Sequence, residues 1–244
     1  MKVAALIPAY RASAHLGGVL TRLRALEPAP HVLVVDDGSR DATAEVARTG
    51  GADVVSFPEN RGKGHALIAG FRALRDFDAV VTLDADGQHP PECLPRFVGA
   101  AESGADLVLG CRARSANMPF SRRFANAFSS GWTSWLAGRP VHDSQSGFRL
   151  HRHELLMRTP MTAGRYELET EMIVRAARLG FRLTEIEIPT VYGEEESQFR
   201  PTRDVPRIVG TLTRLTLEGI VPPAAMRAAR ASIGTPDAHP EPRP

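Results

Sequence analysis

Ala79-Val80-Val81-Thr82-Leu83-Asp84-Ala85-Asp86-Gly87-Gln88-His89 is the stretch on which the fold turns. Five apolar or β-branched residues followed by a polar step with a glycine describe a short buried strand, Ala79 to Leu83, that ends in a turn. Upstream, Val3 to Ile7, His31 to Val35 and Asp53 to Ser56 have the same character, and Leu107 to Leu109 follows downstream. Helical patterns lie between them: Leu16, Val19, Leu20, Leu23 and Leu26 recur at helical spacing, and further helices are expected around Ala42 to Arg48 and Ala66 to Leu74. Strands alternating with helices imply an α/β fold with a mostly parallel sheet covered on both faces. In open sheets of this kind ligands bind beyond the carboxyl ends of the strands.

Polar motifs stand at three of those ends: Asp36-Asp37-Gly38-Ser39, Asn60-Arg61-Gly62-Lys63-Gly64 and Asp84-Ala85-Asp86-Gly87. They are expected to converge on one crevice. Past about residue 110 the alternation loosens into a long helix (Arg122 to Leu136), a polar turn (Asp143 to Arg149), a helix (Glu167 to Leu179) and a strand (Leu183 to Ile188). Val205, Ile208, Val209, Leu212 and Leu215 then mark one apolar helix face with Arg203, Arg207 and Arg214 nearby, which suits packing on the core or lying on an anionic membrane surface. The last eleven residues, Gly234 to Pro244, hold four prolines and no apolar periodicity, the composition of a disordered tail.

The 244 residues suffice for one sizeable core, so residues 1–233 are expected to form a single domain. Hydrophobic residues at 43% and charged residues at 24% are those of an ordinary globular chain. A formal net charge of +2 gives no case for nucleic-acid binding, yet leaves room for local basic sites that meet phosphates. Two cysteines, Cys93 and Cys111, point to reduced thiols and a cytoplasmic setting. The run Val3 to Ile7 is too short for a signal peptide, and no stretch is long and apolar enough to span a bilayer, so membrane contact is expected to be peripheral, on the cytoplasmic face.

Carboxylates two residues apart in a turn after a buried strand can both face the crevice, where Asp84 and Asp86 would offer hard oxygen ligands to Mg²⁺ or Mn²⁺, with Gln88 or His89 completing the set. Alone, such a pair reads equally as a solvated turn or a helix cap. Asp36 and Asp37 can likewise accept hydrogen bonds from ribose hydroxyls or a base, or simply cap a turn. Gly62-Lys63-Gly64 lacks the spacing of a Walker loop or a dinucleotide fingerprint.

Taken in order, Pro8-Ala9-Tyr10, Val35 to Ser39, Asn60 to Gly64, Asp84 to His89, Gly110-Cys111-Arg112 and Gln145-Ser146-Gly147-Phe148-Arg149 resemble the family 2 glycosyltransferases, in particular the dolichyl- and polyprenyl-phosphate sugar synthases. The resemblance spans roughly residues 3 to 200. It implies the GT-A (Rossmann-like) fold, inversion at the anomeric carbon, a divalent metal, and transfer of mannose or glucose from a nucleoside diphosphate sugar of the GDP-mannose or UDP-glucose class to a polyprenyl phosphate. Residues 1–110 then form the donor-binding half, 111–200 the acceptor half and 201–233 an amphipathic helical segment.

Carried onto this sequence, the resemblance makes Pro8, Ala9, Tyr10, Asp36, Asp37, Lys63 and Asp84 the donor-nucleotide positions. Asp84, Asp86 and Gln88 become the metal set, with His89 behind them. Arg112, one of Arg122 and Arg123, and Arg200 would grip phosphates, a task suited to the planar guanidinium; the acids of the Glu167 to Glu171 stretch suit the start of a helix, and Glu169 is the one of them that would face the sugar. Asp86, Asp143 and Arg112 are the catalytic candidates. Where family members often carry Asn-Glu after Pro-x-Tyr this chain has Arg11-Ala12, so the motifs do not name the base. An acceptor phosphate needs no general base, whereas an acceptor hydroxyl does, and Asp143 is then the candidate. A nucleotidyltransferase would use the same kind of crevice, and would release pyrophosphate from a nucleoside triphosphate.

Overall fold

The structure is a computed structural model that describes residues 1–112, 120–189 and 201–220, with the backbone alone for 120–126, 201–204 and 220. The first half alternates as the sequence implies: β1 (Val3–Ala9), α1 (Ser13–Arg24), β2 (His31–Asp36), α2 (Thr43–Thr49), β3 (Asp53–Ser56), α3 (Lys63–Ala73) and β4 (Ala79–Thr82). A single 3₁₀ turn at Pro91–Cys93 leads into α4 (Leu94–Glu102) and β5 (Leu107–Arg112). The second half holds α5 (Phe120–Ala137), β6 (Arg149–Arg152), α6 (His153–Arg158), α7 (Glu167–Arg178), β7 (Leu183–Ile188) and α8 (Pro201–Ile220).

Among the described residues, seven strands form one sheet in the order β3-β2-β1-β4-β6-β5-β7. All neighbours are parallel except β6, which runs antiparallel to both β4 and β5. Successive residues of β1 feed opposite faces. Ala5 and Ile7 pack with Leu16, Leu20 and Leu23 of α1 and Phe97 of α4, while Ala4 and Leu6 pack with Leu67 and Phe71 of α3 and Met172 and Ile173 of α7. A strand buried on both faces must be apolar throughout, which is why the short runs were legible. The strand order reverses at β1, with β2 on one side and β4 on the other. The crevice therefore opens at the carboxyl end of β1, between Asp36-Asp37 and Asp84.

Three elements depart from the expectation. The Asp143 to Arg149 turn runs on into β6, whose Arg149 and His151 are buried although nothing in Arg-Leu-His-Arg resembles a core strand. Helix α4 was not among the expected elements; Pro91 opens the 3₁₀ turn before it and Pro95 lies in its first turn, positions a helix start tolerates. Helix α6, six residues long, had no periodicity to reveal it. For α8, Ile208, Leu212 and Leu215 bury against Leu136 and Val174, so most of its apolar face packs on α5 and α7.

Candidate active site

At the carboxyl end of β2, Asp37 is almost fully buried and holds the following loop. Its Oδ1 accepts from the Arg61 amide at 2.7 Å, and its Oδ2 from the Gly62 amide and Asn60 Nδ2, both at 2.8 Å. Burial pushes its carboxyl up and the two amides pull it back, leaving it above the usual range. Asp36, also buried, accepts from the Ser39 amide at 3.1 Å. Pro8 and Ala9 pair with Val35 and Asp36 across the β1–β2 ladder, so these positions line the crevice wall through their backbone. Arg11, the residue after the Pro8-Ala9-Tyr10 step, takes a left-handed φ of 51° and sits over the Tyr10 ring.

Gly62, at φ 106°, supplies the backbone reversal that lets α3 begin at Lys63. A lysine in a helix's first turn is opposed by the macrodipole, and here two acids compensate. Lys63 Nζ lies 2.6 Å from Asp84 Oδ1 and 3.0 Å from Glu169 Oε1. Burial alone would lower the ammonium's pKa, but Asp84 and Glu169 outweigh it and hold Lys63 charged, well above its ordinary value. Burial likewise raises Asp84, and the adjoining Lys63 then brings it down to about 2. One side chain thus joins three segments distant in sequence: the loop after β3, the turn after β4 and the first turn of α7.

The other flank of Asp84 is the turn before β6. A Cβ on Gly147 would stand 2.6 Å from Asp84 Oδ2, so only glycine admits the carboxylate here. That turn is clamped from behind by Arg149, whose Nε donates to Ser146 O at 2.7 Å, Nη2 to Ser144 O at 2.9 Å and Nη1 to Glu169 O at 2.5 Å. Arg149 therefore stabilises the loop and α7 and is no phosphate ligand. His89 is buried with Nδ1 3.3 Å from the Asp84 amide, which donates to it. Burial pulls its pKa down despite the nearby Asp84, and the donated amide makes Nδ1 the acceptor in this contact.

A divalent ion is implied by the resemblance, and the donor set fits it in one particular way. Among the described residues no three His, Cys, Asp or Glu side chains form a ready cage. Asp84 is 29% exposed, and Asp86 shares its turn, accepting from the Gln88 amide at 3.0 Å through Oδ1. Two hard carboxylates suit Mg²⁺ or Mn²⁺ bound jointly with a diphosphate. Gln88 contributes its backbone to this turn and lies partly buried beside it.

On the far side, Arg112 ends β5 and meets Asp143 in a two-point ion pair, Nε to Oδ2 at 2.7 Å and Nη2 to Oδ1 at 3.0 Å. The amides of Arg112 and Gln145 also donate to that carboxylate. Burial raises Asp143, but Arg112 overrides it and holds the carboxyl below its usual range. The side chains of Arg122 and Arg123, and the whole of Arg200, lie outside the described residues. The Gly164-Arg165 segment is a further wall that the sequence did not single out: Gly164 O accepts from the His65 amide at 3.0 Å, and Arg165 Nη1 donates to Asn60 Oδ1 at 3.5 Å. Both cysteines are free thiols.

Comparison with known proteins places this geometry. The sequence model of the family described as glycosyl transferase family 2 matches residues 4–169. An undecaprenyl-phosphate mannosyltransferase of Micrococcus luteus is 36% identical over 80% of this chain and 85% of its own length. A polyprenol monophosphomannose synthase of Mycolicibacterium smegmatis is 32% identical over 78% and 77%, and a dolichyl-phosphate hexose transferase of Haloferax volcanii 32% over 88% and 94%. Among solved structures, glucosyl-3-phosphoglycerate synthase from Mycobacterium tuberculosis, in complex with Mn²⁺, UDP-glucose and phosphoglyceric acid, superposes with a TM-score of 0.73 at 22% identity, covering 88% of this chain and 79% of that one. At that identity the likeness speaks to the fold, and the GT-A architecture with its mostly parallel sheet stands as expected.

Proposed function

This chain belongs to glycosyl transferase family 2, and on that premise we propose that it transfers a hexose, mannose or glucose, from a nucleoside diphosphate sugar to a polyprenyl phosphate. The relatives' printed activities support the acceptor class. The observation that carries the reading is the Arg112–Asp143 pair. The one carboxylate placed as a candidate base is held in a two-point ion pair with a depressed pKa, a poor proton acceptor but a firm brace for a guanidinium. A phosphate monoester is already ionised near neutral pH, so its oxygen can attack the anomeric carbon directly once oriented and neutralised.

In this reading the loop held by Asp37 and the backbone around Pro8, Ala9 and Tyr10 seat the nucleotide, and Asp36 accepts from its ribose. Lys63 faces the diphosphate from the start of α3, and Arg112 receives the acceptor phosphate with one of Arg122 and Arg123 and with Arg200. Asp84 and Asp86, with Gln88 beside them, would hold Mg²⁺ or Mn²⁺, which when bound supplies Lewis-acid stabilisation of the departing nucleoside diphosphate. Glu169, whose Oε1 accepts from Lys63, is the acid proposed to face the sugar.

The acceptor lies in a membrane, and the surface has a feature suited to one. Phe128, Trp132 and Trp135 follow one face of α5; Phe128 is 53% and Trp135 68% exposed, and Val205 and Val209 on the adjoining α8 are also exposed. Among the described residues no helix is long and apolar enough to cross a bilayer. Tryptophan and phenylalanine on an amphipathic face favour the bilayer interface, which supports peripheral attachment to a membrane surface. The deciding experiment is a screen of GDP-mannose and UDP-glucose with Mn²⁺ or Mg²⁺ against undecaprenyl phosphate, read as labelled lipid. Formation of a sugar-phosphate lipid supports the proposal, and transfer only to soluble hydroxyl acceptors refutes it.

A further inference from the structure

We propose that Lys63 is a resident counter-cation that occupies Asp84 until a nucleoside diphosphate draws it away, so that the divalent ion and the nucleotide enter the site together. The inference rests on the reading that Asp84 and Asp86 hold that ion. Its basis is geometric. Lys63 Nζ stands 2.6 Å from Asp84 Oδ1 and 3.0 Å from Glu169 Oε1, and only 13% of the side chain is exposed. An ammonium at that distance takes the oxygen that a hard cation would use, and two positive centres cannot share it without strong repulsion.

Lys63 is held by two carboxylates at once. It can leave by exchange. Its four-carbon stem lets the ammonium swing toward a new anion, and α3 starts at Lys63, so a diphosphate in the crevice meets both that ammonium and the amides of the helix's first turn. Once Lys63 turns to a phosphate oxygen, Asp84 Oδ1 is released. Glu169 steadies the transition: it retains a hold on the ammonium while Asp84 gives it up. A ready three-acid cage is absent among the described residues, and the protein alone is therefore a weak host for metal. The counter-cation makes it weaker still.

The test is Mn²⁺ binding followed by electron paramagnetic resonance on the full chain, with and without GDP or UDP, for four proteins: wild type, Lys63→Met, Lys63→Met with Glu169→Gln, and Asp84→Asn. Wild type should bind Mn²⁺ weakly alone and at least tenfold more tightly when nucleotide is present, above the amount the nucleotide itself sequesters. Lys63→Met should bind Mn²⁺ without nucleotide at least tenfold more tightly than wild type, with a smaller gain on adding nucleotide.

The double variant removes one charge of each sign. If only the net field mattered it would match wild type, whereas loss of the counter-cation predicts the same tightening, and it serves should the single variant prove too unstable to purify. Asp84→Asn should abolish the gain in every setting. Nucleotide-free affinities within twofold of wild type in both Lys63 variants, while wild type keeps its nucleotide-dependent gain, overturn the counter-cation and leave the metal site standing. A wild type that gains nothing with either nucleotide removes the metal site, and the inference with it.

Discussion

Replacing Asp143 by Asn separates the two acceptor chemistries, because the change keeps the side chain's shape and an acceptor oxygen while removing the charge that braces Arg112. The pair has Nε···Oδ2 at 2.7 Å and Nη2···Oδ1 at 3.0 Å, with the side chains 25% and 11% exposed. An exposed pair contributes roughly 0–1 kcal/mol, and stripping one partner from a buried pair costs roughly 3–5 kcal/mol. The intermediate exposure and the retained oxygen put this case at about 2 kcal/mol, or a fall in Tm of about 4–8 °C for a chain of this size.

The same 2 kcal/mol bounds what a loosened Arg112 can take from acceptor binding, about 30-fold, since 1.4 kcal/mol is tenfold. The loss should appear in the acceptor KM when labelled lipid product is followed against polyprenyl phosphate concentration. A general base would behave otherwise: turnover would fall by roughly 10²–10⁴ with KM unchanged. The pH dependence adds a second readout. Asp143's folded pKa is depressed, so its contribution to stability is complete above the unfolded carboxylate value and fades only as pH falls through the folded one. From pH 5.5 to 8.5 the Tm offset between Asn and wild type should therefore stay constant. If turnover at saturating acceptor instead fell by roughly 100-fold or more, with KM and Tm unmoved, the brace would be refuted and Asp143 restored as base.

Arg149→Met should lower stability by about 3 kcal/mol or more by calorimetry, because three buried carbonyls lose their donors at once. Gly147→Ala forces the Asp84 carboxylate to move and should cost about 1–3 kcal/mol of overpacking, with turnover reduced tenfold or more; wild-type turnover would show that Asp84 does not need its present seat. His151, buried in β6 beside Phe71 and Arg149, has its pKa lowered by burial and then by Arg149 to about 3. The unfolded chain takes up a proton near pH 6.5 and the folded chain does not, so stability falls as pH drops below that value, by about 2 kcal/mol between pH 7.5 and 5. His151→Gln should flatten that slope in urea titrations at the two pH values, and an unchanged slope would assign it to other groups.

The legibility of this fold in its sequence follows from burial. Strands β1, β2 and β4 are covered on both faces, so their apolar runs could be read directly, and the polar residues after each marked where the sheet stops. Strand β6 is just as central, yet Arg149 and His151 disguise it. Arg149 is tolerable in the core only because Ser144, Ser146 and Glu169 offer it carbonyl oxygens, an arrangement that exists once the chain has folded. Helix α4 was not among the expected elements, and Pro91 and Pro95, residues that would interrupt a helix elsewhere, sit at its start.

The site was legible as residue types and not as pairings, and the pairings separate two acidic motifs that looked alike. Asp37 is satisfied mainly by backbone amides of Arg61 and Gly62, donors fixed in place, so it shapes the loop and any effect on nucleotide passes through that loop. Asp84 is satisfied by Lys63, a side chain 21 positions earlier that is shared with Glu169, 106 positions further on from Lys63. A partner on a flexible stem can be exchanged where a backbone amide cannot. Of the two carboxylates, then, Asp84 is the one whose partner a ligand can replace, and on the proposed function that is where a diphosphate would take Lys63 over.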